Sequence, residues 1–327
     1  MHDHTFSADR RRFLGLTATA AAIAGLGQAT RAARGADDPA SPPAAPASAK
    51  PAATRGADHR PKIGLAAYSF RDQLTGKAGP AMTLESFIDY CAEQGLEGTE
   101  LTGYYVPEPV RADYLRRLRR RAFRAGVTVT GTAIRNDFGL ADPAAVKKEI
   151  AHVKAWSDHA AAMGAPVIRI FAGQVPEGAD HAATIKQIAA SIEECCEYAG
   201  ERGVHLALED HGGPTATADG LFEICDLVKS DWFGVNLDTG NFRSPDPYAD
   251  IERAVPRAIN CQVKLAVTPI GADGKQGREP ADIPRVAKLL RAGGYNGFVV
   301  LEYEEPGDPL RHIPPALAQL REALASA

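Results

Sequence analysis

The chain has 327 residues, of which 45% are hydrophobic and 24% charged, an ordinary composition for a globular enzyme that buries a substantial core. Its formal net charge of -4 excludes a general electrostatic attraction to nucleic acid or to an anionic membrane surface. Its five cysteines show no CxxC spacing, which argues against a disulfide framework.

The first 60 residues are predicted to lie outside the folded domain. Residues 10–14 read RRRFL, the form of a twin-arginine signal, and the LGLTATAAAIAGLG that follows is too short and too weakly apolar for a transmembrane helix. An uncleaved anchor and a chance arginine cluster are the alternatives. We expect residues 1–33 to be a signal peptide that directs the protein to the periplasm or otherwise outside the cytoplasm, with no stable membrane insertion after export. Residues 34–60 are rich in Pro and Ala and predict a disordered linker.

From residue 62 onward, short apolar or β-branched runs alternate with longer segments of helical period. Thr83 and Asp142 are placed to begin helices, and Gly95 and Gly164 to end them. Eight strands that alternate with helices predict an α/β fold, a single (β/α)8 TIM barrel over residues 61–327. The predicted strands are residues 62–68, 97–102, 127–133, 166–172, 204–209, 232–238, 260–266 and 297–303.

Acidic residues cluster where the fifth, sixth and eighth predicted strands end, at Glu209, Asp238 and Glu302. In such barrels the catalytic groups lie at the carboxyl ends of the strands. Each residue taken singly can be a strand-end cap or a surface ion pair. Three buried carboxylates together would repel one another and lose their hydration, so a divalent metal is the simplest neutraliser. His211, also beyond the fifth strand, is either satisfied by backbone groups or active in proton transfer.

An arginine-rich segment holds seven Arg between residues 111 and 124. We interpret it as the solvated face of a helix whose Tyr114, Leu115, Leu118 and Phe123 face the barrel. A basic helix face is a weak sign of nucleic-acid binding, so no nucleic-acid partner is expected.

The motifs IGLAAYSFRD, LEGTELTGYY, GVHLALEDHGG, FGVNLDTGNF, NCQVKL and FVVLEYE resemble the sugar phosphate isomerase/epimerase superfamily, the xylose isomerase-like TIM barrels. The resemblance implies one divalent metal, held by a Glu, an Asp, a His and a Glu on the last four strands. Glu209, Asp238 and Glu302 match, but the seventh strand carries Gln262 in place of the His. Because amide oxygens bind hard cations, we expect Gln262 to be the fourth ligand and the metal to be Mn or Mg, with Zn, Co and Ca as alternatives.

The same resemblance implies a metal-dependent sugar isomerase or epimerase that works through a metal-stabilised enediolate. Glu209 and Glu302 would act as base and acid on the two faces of the substrate. His211 and Lys264 would donate to the developing oxyanion or carry a proton. The residues expected to bind the substrate are Tyr68, Glu100, Asn136 and Arg169.

The expected partner is a small carbohydrate, and a homo-oligomer is compatible with the sequence. Export, and the lack of a Gly-rich phosphate cradle after the last two strands, favour a non-phosphorylated keto sugar, polyol or oxidised glycoside. One alternative is a dehydratase or lyase, in which a β-hydroxyl leaves the same enediolate. Another is a non-catalytic sugar-binding barrel in which Gln262 records a lost ligand. Apurinic endonucleases of this superfamily use a histidine-rich three-zinc cluster, whereas here only His211 stands at a strand end.

Overall fold

The computed structural model describes residues 61–327. The signal peptide predicted for residues 1–33 and the linker predicted for residues 34–60 lie outside the described residues. Within the described part of the chain, no helix combines the length and the apolar character needed to cross a membrane.

Eight parallel strands close into a barrel in the order β1-β10-β7-β6-β5-β4-β3-β2, which confirms the predicted (β/α)8 fold. The barrel strands are β1 (Lys62–Ala66), β2 (Gly98–Glu100), β3 (Thr128–Ala133), β4 (Val167–Ile170), β5 (His205–Glu209), β6 (Phe233–Asp238), β7 (Ala258–Val263) and β10 (Phe298–Leu301). Two short strands, β8 (Ala266–Val267) and β9 (Glu279–Pro280), form a separate antiparallel pair. Most barrel strands are shorter than predicted; after β1, for example, the chain turns into a 3₁₀ helix over Ala67–Phe70.

Helices connect the barrel strands, and side-chain caps fix several of their ends. The helices are α1 (Arg71–Leu74), α2 (Leu84–Glu93), α3 (Ala112–Ala125), α4 (Pro143–Met163), α5 (His181–Gly200), α6 (Ala218–Cys225), α7 (Pro247–Ala254), α8 (Ile283–Ala292) and α9 (Pro309–Ser326). Thr83 and Ser86 form a capping box at the start of α2, and the Asp142 side chain accepts from the backbone at the start of α4. Gly164 ends α4 in the left-handed conformation at φ 79°, which a residue with a Cβ adopts only under strain. The capping residues predicted from the sequence therefore set these helix boundaries.

The arginine-rich helix α3 packs on the barrel through a narrower stripe than predicted. Leu115, Leu118 and Ala122 are buried, but Phe123 is 84% exposed, so the prediction that Phe123 faces the barrel is wrong. Phe123 follows Ala122 by one residue and so lies about 100° further round the helix, beyond the buried stripe. The remaining faces of α3 carry the arginines.

We expect this difference to appear in stability. Leu118→Ala should lower the free energy of unfolding by about 2–5 kcal/mol because it leaves a cavity in the core. Phe123→Ser should change it by no more than about 0.5 kcal/mol, since Ser and Phe have similar helix propensities and the ring is in solvent. Urea unfolding followed by circular dichroism measures both variants. A Phe123→Ser loss as large as that of Leu118→Ala would contradict the exposed position of the ring.

A ladder of amide side chains crosses the barrel interior. Asn260 Nδ2 donates to Asn236 Oδ1 over 2.6 Å, and Asn236 Nδ2 donates to Gln262 Oε1 over 2.7 Å. Gln262 Nε2 in turn donates to Glu100 Oε1 over 3.0 Å and to Glu302 Oε1 over 3.3 Å. Burial raises the pKa of Glu100 to about 7, and the nearby positive charge of Arg169 opposes only part of that rise. The ladder therefore ends on a carboxyl group that holds its proton up to near neutral pH.

The raised pKa of Glu100 predicts a pH-dependent stability. Its folded value of about 7 lies above the ordinary 4.5, so the stability that this group contributes is complete below pH 4.5 and is lost as the pH rises through 7. Glu100→Gln removes the proton exchange, so its unfolding free energy relative to wild type should rise by about 3 kcal/mol between pH 4.5 and pH 8. Denaturant titrations at several pH values measure the difference. Glu93→Gln, on the exposed end of α2, is the control and should show no such trend; a flat difference for Glu100→Gln as well would contradict the prediction.

Candidate functional site

The acidic residues singled out in the sequence meet at one end of the barrel. Glu209 and Asp238 are the last residues of β5 and β6, and Glu302 directly follows β10. Strand β7 lies between β6 and β10 and pairs Gln262 with Asp238. The three carboxylates are at most 6% exposed. The closed barrel thus gathers residues that are about thirty or more positions apart in sequence.

A cavity of about 160 Å³ opens at this end of the barrel. Its lining residues are Tyr68, Tyr104, Arg135, Arg169, Phe171, Glu209, His211, Lys264, Glu302 and Glu304. This volume is below the roughly 300–1,000 Å³ of pockets for drug-sized ligands, so it suits a single small molecule such as one sugar ring.

Lys264 lies among the carboxylates. Its Nζ is 3.0 Å from Asp238 Oδ2, 3.5 Å from Glu302 Oε2 and 3.2 Å from Glu304 Oε2. Burial alone would lower the pKa of Lys264, but these carboxylates outweigh burial and raise it well above its ordinary value. Burial and the neighbouring Asp238 and Glu304 raise the pKa of Glu302 well above its usual range, although Lys264 opposes the rise. The site therefore contains a fixed ammonium beside a carboxyl group that keeps its proton.

Arg169 forms a second ion pair, with Glu209. Arg169 Nε is 2.7 Å from Glu209 Oε2, but the N–H does not point at that oxygen, and neither atom has a hydrogen bond. The rest of the guanidinium donates to the Ile134 carbonyl over 2.7 Å and to the Tyr104 hydroxyl over 2.9 Å. Burial raises the pKa of Glu209 to about 7, with Arg169 opposing and Asp238 adding to the rise. Arg169 is thus held rigidly and keeps Glu209 more acidic than burial alone would allow.

His211 reaches the cavity as a neutral ring. Its imidazole packs against Phe171 with ring centroids 4.4 Å apart, and its backbone N–H donates to Thr215 Oγ1 over 3.1 Å. Burial, Arg169 and Lys264 lower its pKa to about 4. The backbone contact explains the position of the loop, while the ring stays free to give or take a proton in the cavity.

Four of the predicted site residues do not line the cavity: Glu100, Asn136, Asp238 and Gln262. Glu100 is fully buried beneath it, in the amide ladder. Asn136 ties two loops together, because its amide donates to the Phe171 carbonyl over 2.7 Å and accepts from the Phe171 N–H over 2.9 Å. The geometry therefore gives Glu100 and Asn136 structural roles and does not support the prediction that they bind substrate. Tyr68 and Arg169 are the predicted substrate-binding residues that do line it.

The donor set partly fits a divalent metal. Within residues 61–327 no three His, Cys, Asp or Glu side chains form a ready-made metal cluster. Glu209 Oε2 and Asp238 Oδ2 are buried without a hydrogen bond and are of the type that hard cations prefer, but they lie 2.7 Å from Arg169 Nε and 3.0 Å from Lys264 Nζ. Gln262 fits less well, since its amide oxygen accepts from Asn236 and its amide nitrogen faces Glu100 and Glu302. As they stand, Glu209 and Asp238 offer no free oxygen to a cation, because Arg169 and Lys264 already lie within 3.0 Å of them. Gln262 could join a metal only by breaking its bond to Asn236.

Several functional residues were missed from the sequence. Tyr104 reaches the mouth because the chain after β2 forms a 3₁₀ turn over Gly103–Tyr105, which no strand or helix period predicts. Fully buried Asp210 accepts from the Asp238 N–H over 2.8 Å and so joins β5 to β6. Of these residues, Glu304 could have been predicted from the sequence, because alternation in VVLEYEE places it on the same face as Glu302.

Solved structures of the same fold are similar to this chain at low identity. D-psicose 3-epimerase from Clostridium cellulolyticum H10, solved with D-tagatose, is 17% identical with a TM-score of 0.64, covering 80% of this chain and 99% of its own. A xylose isomerase-like TIM barrel protein from Mycobacterium smegmatis, in complex with magnesium, is 16% identical with a TM-score of 0.62, covering 82% and 97%. A probable 3-DHS dehydratase from Bacillus anthracis is 18% identical with a TM-score of 0.60, covering 80% and 98%. These likenesses show the fold.

Comparison with curated proteins gives no match. The sequence model of one family, described as Xylose isomerase-like TIM barrel, matches residues 88–326. That match takes in most of the described barrel, including the strand ends that carry Glu209, Asp238 and Glu302. The resemblance seen in the sequence motifs is thereby confirmed, and the chain belongs to the xylose isomerase-like TIM barrel family.

Proposed function

We propose that this protein is a metal-dependent isomerase or epimerase of a non-phosphorylated keto sugar, polyol or oxidised glycoside. One observation carries the proposal: Glu209 and Glu302, two buried carboxylates with raised pKa values, line the same 160 Å³ cavity. General acid–base catalysis works best with groups whose pKa lies near the operating pH. Burial raises the pKa of both groups, that of Glu209 to about 7.

Glu209 and Glu302 would divide the proton transfers between them. Arg169 holds the pKa of Glu209 down to about 7 against burial, which suits a base that removes a proton from the carbon next to a carbonyl. Burial raises the pKa of Glu302 well above its ordinary value, so Glu302 suits the acid that delivers a proton to the other face. Negative charge that develops on the substrate oxygen would lie near the ammonium of Lys264. The neutral ring of His211 would carry protons between oxygens.

The metal in this proposal would be held by Glu209, Asp238 and Glu302 once Lys264 and Arg169 withdraw from these carboxylates, with Gln262 as a fourth ligand once its amide leaves Asn236. Mg or Mn suits an all-oxygen donor set best, with Zn, Co and Ca as weaker fits. When bound, it would supply Lewis-acid polarisation of the substrate carbonyl. The magnesium complex among the similar structures supports a divalent cation in this fold.

The size and charge of the cavity support the proposed substrate class. Its volume of about 160 Å³ admits one sugar ring, and its two buried cations, Lys264 and Arg169, are already paired with carboxylates. Neither of these two is free to hold a phosphate, which supports a non-phosphorylated substrate, and the third cation of the lining, Arg135, lies over the Tyr104 ring. Twin-arginine export, indicated by the RRRFL motif, remains part of the proposal and agrees with a substrate found outside the cytoplasm.

A dehydratase or lyase is the second candidate. A protonated Glu302 next to the reacting carbons can equally donate its proton to a departing β-hydroxyl. The dehydratase of the same fold supports this outcome. The product separates the two, since epimerisation conserves the sugar's composition and dehydration releases water.

We expect Glu302→Gln to reduce catalysis by about 100-fold or more while the protein stays folded, because an amide cannot donate the proton. The measurement is exchange of carbon-bound hydrogen of keto sugars in D₂O, followed by NMR, with Mn or Mg supplied. The matched control is Glu305→Gln, whose carboxylate pairs with Arg278 and does not line the cavity. Full exchange by Glu302→Gln would remove Glu302 from the mechanism.

We also expect metal removal to abolish exchange. Protein treated with EDTA should lose activity and regain it with Mn or Mg, and Asp238→Asn should weaken metal binding at least tenfold in calorimetry. Asp273→Asn, in an exposed loop, is the control and should bind the metal like wild type. Deuterium exchange that persists in metal-free protein would refute the metal requirement. The exchange rate of Glu302→Gln would still test the acid–base roles.

A further inference from the structure

A second cavity adjoins the barrel mouth and is not used by the proposed chemistry. It is a groove of about 490 Å³ between the loop after β2 and helix α4. Two of its lining residues, Tyr104 and Arg135, also line the 160 Å³ cavity. The two spaces therefore share a wall made by these side chains.

The shared wall is held from both sides. On the inner side the Tyr104 hydroxyl accepts from Arg169 over 2.9 Å, and on the outer side the Arg135 guanidinium lies over the Tyr104 ring at 4.9 Å. Arg135 itself is exposed. A ligand that extends past Tyr104 would thus meet a fixed aromatic ring and a cationic donor that faces both spaces.

The floor of the groove is aromatic. A Cβ on Gly103 would come within 2.6 Å of the Trp156 ring, so only glycine allows the ring to pack this closely under the loop. Trp156 is 6% exposed, so only an edge of its ring reaches the groove, and His152 stands edge-on to it at 6.4 Å between ring centroids.

The rim of the groove is polar and electrically balanced. Two basic side chains, Arg135 and Lys148, stand with two acidic ones, Glu108 and Glu149. This mixture offers both donors and acceptors without a net charge, which suits the hydroxyl groups of a neutral ligand better than a phosphate or a carboxylate.

We propose that this groove binds a second sugar unit, so that the substrate is a keto disaccharide or another glycosylated keto sugar. The reacting ring occupies the inner cavity, and the attached ring lies in the groove beyond Tyr104, beside Lys148 and His152. A volume of about 490 Å³ is ample for one further ring. The role of the reacting ring rests on the proposed function, whereas binding in the groove can be measured without it.

The test compares keto sugars with and without an attached ring. The probes are D-fructose, isomaltulose, which is fructose glucosylated at O6, and lactulose, which is fructose galactosylated at O4. Solvent-deuterium exchange with the full chain should show a KM at least tenfold lower for one of the disaccharides than for fructose.

Lys148→Ala and His152→Ala should each raise that KM about three- to tenfold, the effect of losing one hydrogen bond or ring contact, and leave fructose kinetics unchanged. The control is Lys147→Ala, the adjacent exposed lysine of α4 that does not line the groove.

Disaccharide exchange no better than that of fructose, or groove variants that alter both sugars equally, would overturn the groove assignment. If no sugar takes up deuterium, the proposed function fails. Sugar binding measured by calorimetry then tests the groove assignment independently. Tighter binding of a disaccharide than of fructose, weakened by Lys148→Ala and not by Lys147→Ala, would uphold it. Equal or undetectable binding of the sugars would overturn it.

Discussion

An excess of buried negative charge at the barrel mouth is the constraint on which the rest of the site depends. The carboxylates that converge there are those of Glu209, Asp238, Glu302 and Glu304. Two basic side chains, Lys264 and Arg169, form ion pairs with these carboxylates. Charges taken out of water in this way are tolerated only when they are paired, so each member fixes the position and the protonation of the others.

The remaining imbalance is what gives the site its chemistry. The carboxylates outnumber the two cations, and the remaining negative charge is relieved either by retained protons or by a bound cation. Burial and mutual repulsion raise the pKa values of Glu209 and Glu302, and a metal would have to displace Arg169 and Lys264 from the oxygens of Glu209 and Asp238. Proton storage and metal binding are therefore two responses to one electrostatic condition.

The fold and the acidic half of the site could be predicted from the sequence because both depend on local pattern. Strand and helix periods gave the eight-stranded barrel, and the barrel then brought Glu209, Asp238 and Glu302 to one end. The orientation of long side chains could not be predicted, because it depends on partners distant in the chain. Gln262 turns its amide nitrogen to Glu100, 162 residues away, and the ammonium of Lys264 is placed by carboxylates from other strands. Phe123 was misassigned for a different reason, since a single residue step on a helix separates a buried face from solvent.

The amide ladder has a direction, and that direction restricts how this member of the family can change. Every amide in it gives a hydrogen to the next, from Asn260 through Asn236 to Gln262, so only an acceptor such as Glu100 can close the series. An imidazole at position 262 would accept a hydrogen bond from Asn236 with one nitrogen and donate one to Glu100 with the other. Neither nitrogen would then be free to bind a cation. A histidine at this position would therefore bind a cation only if Asn236 or Glu100 were exchanged as well.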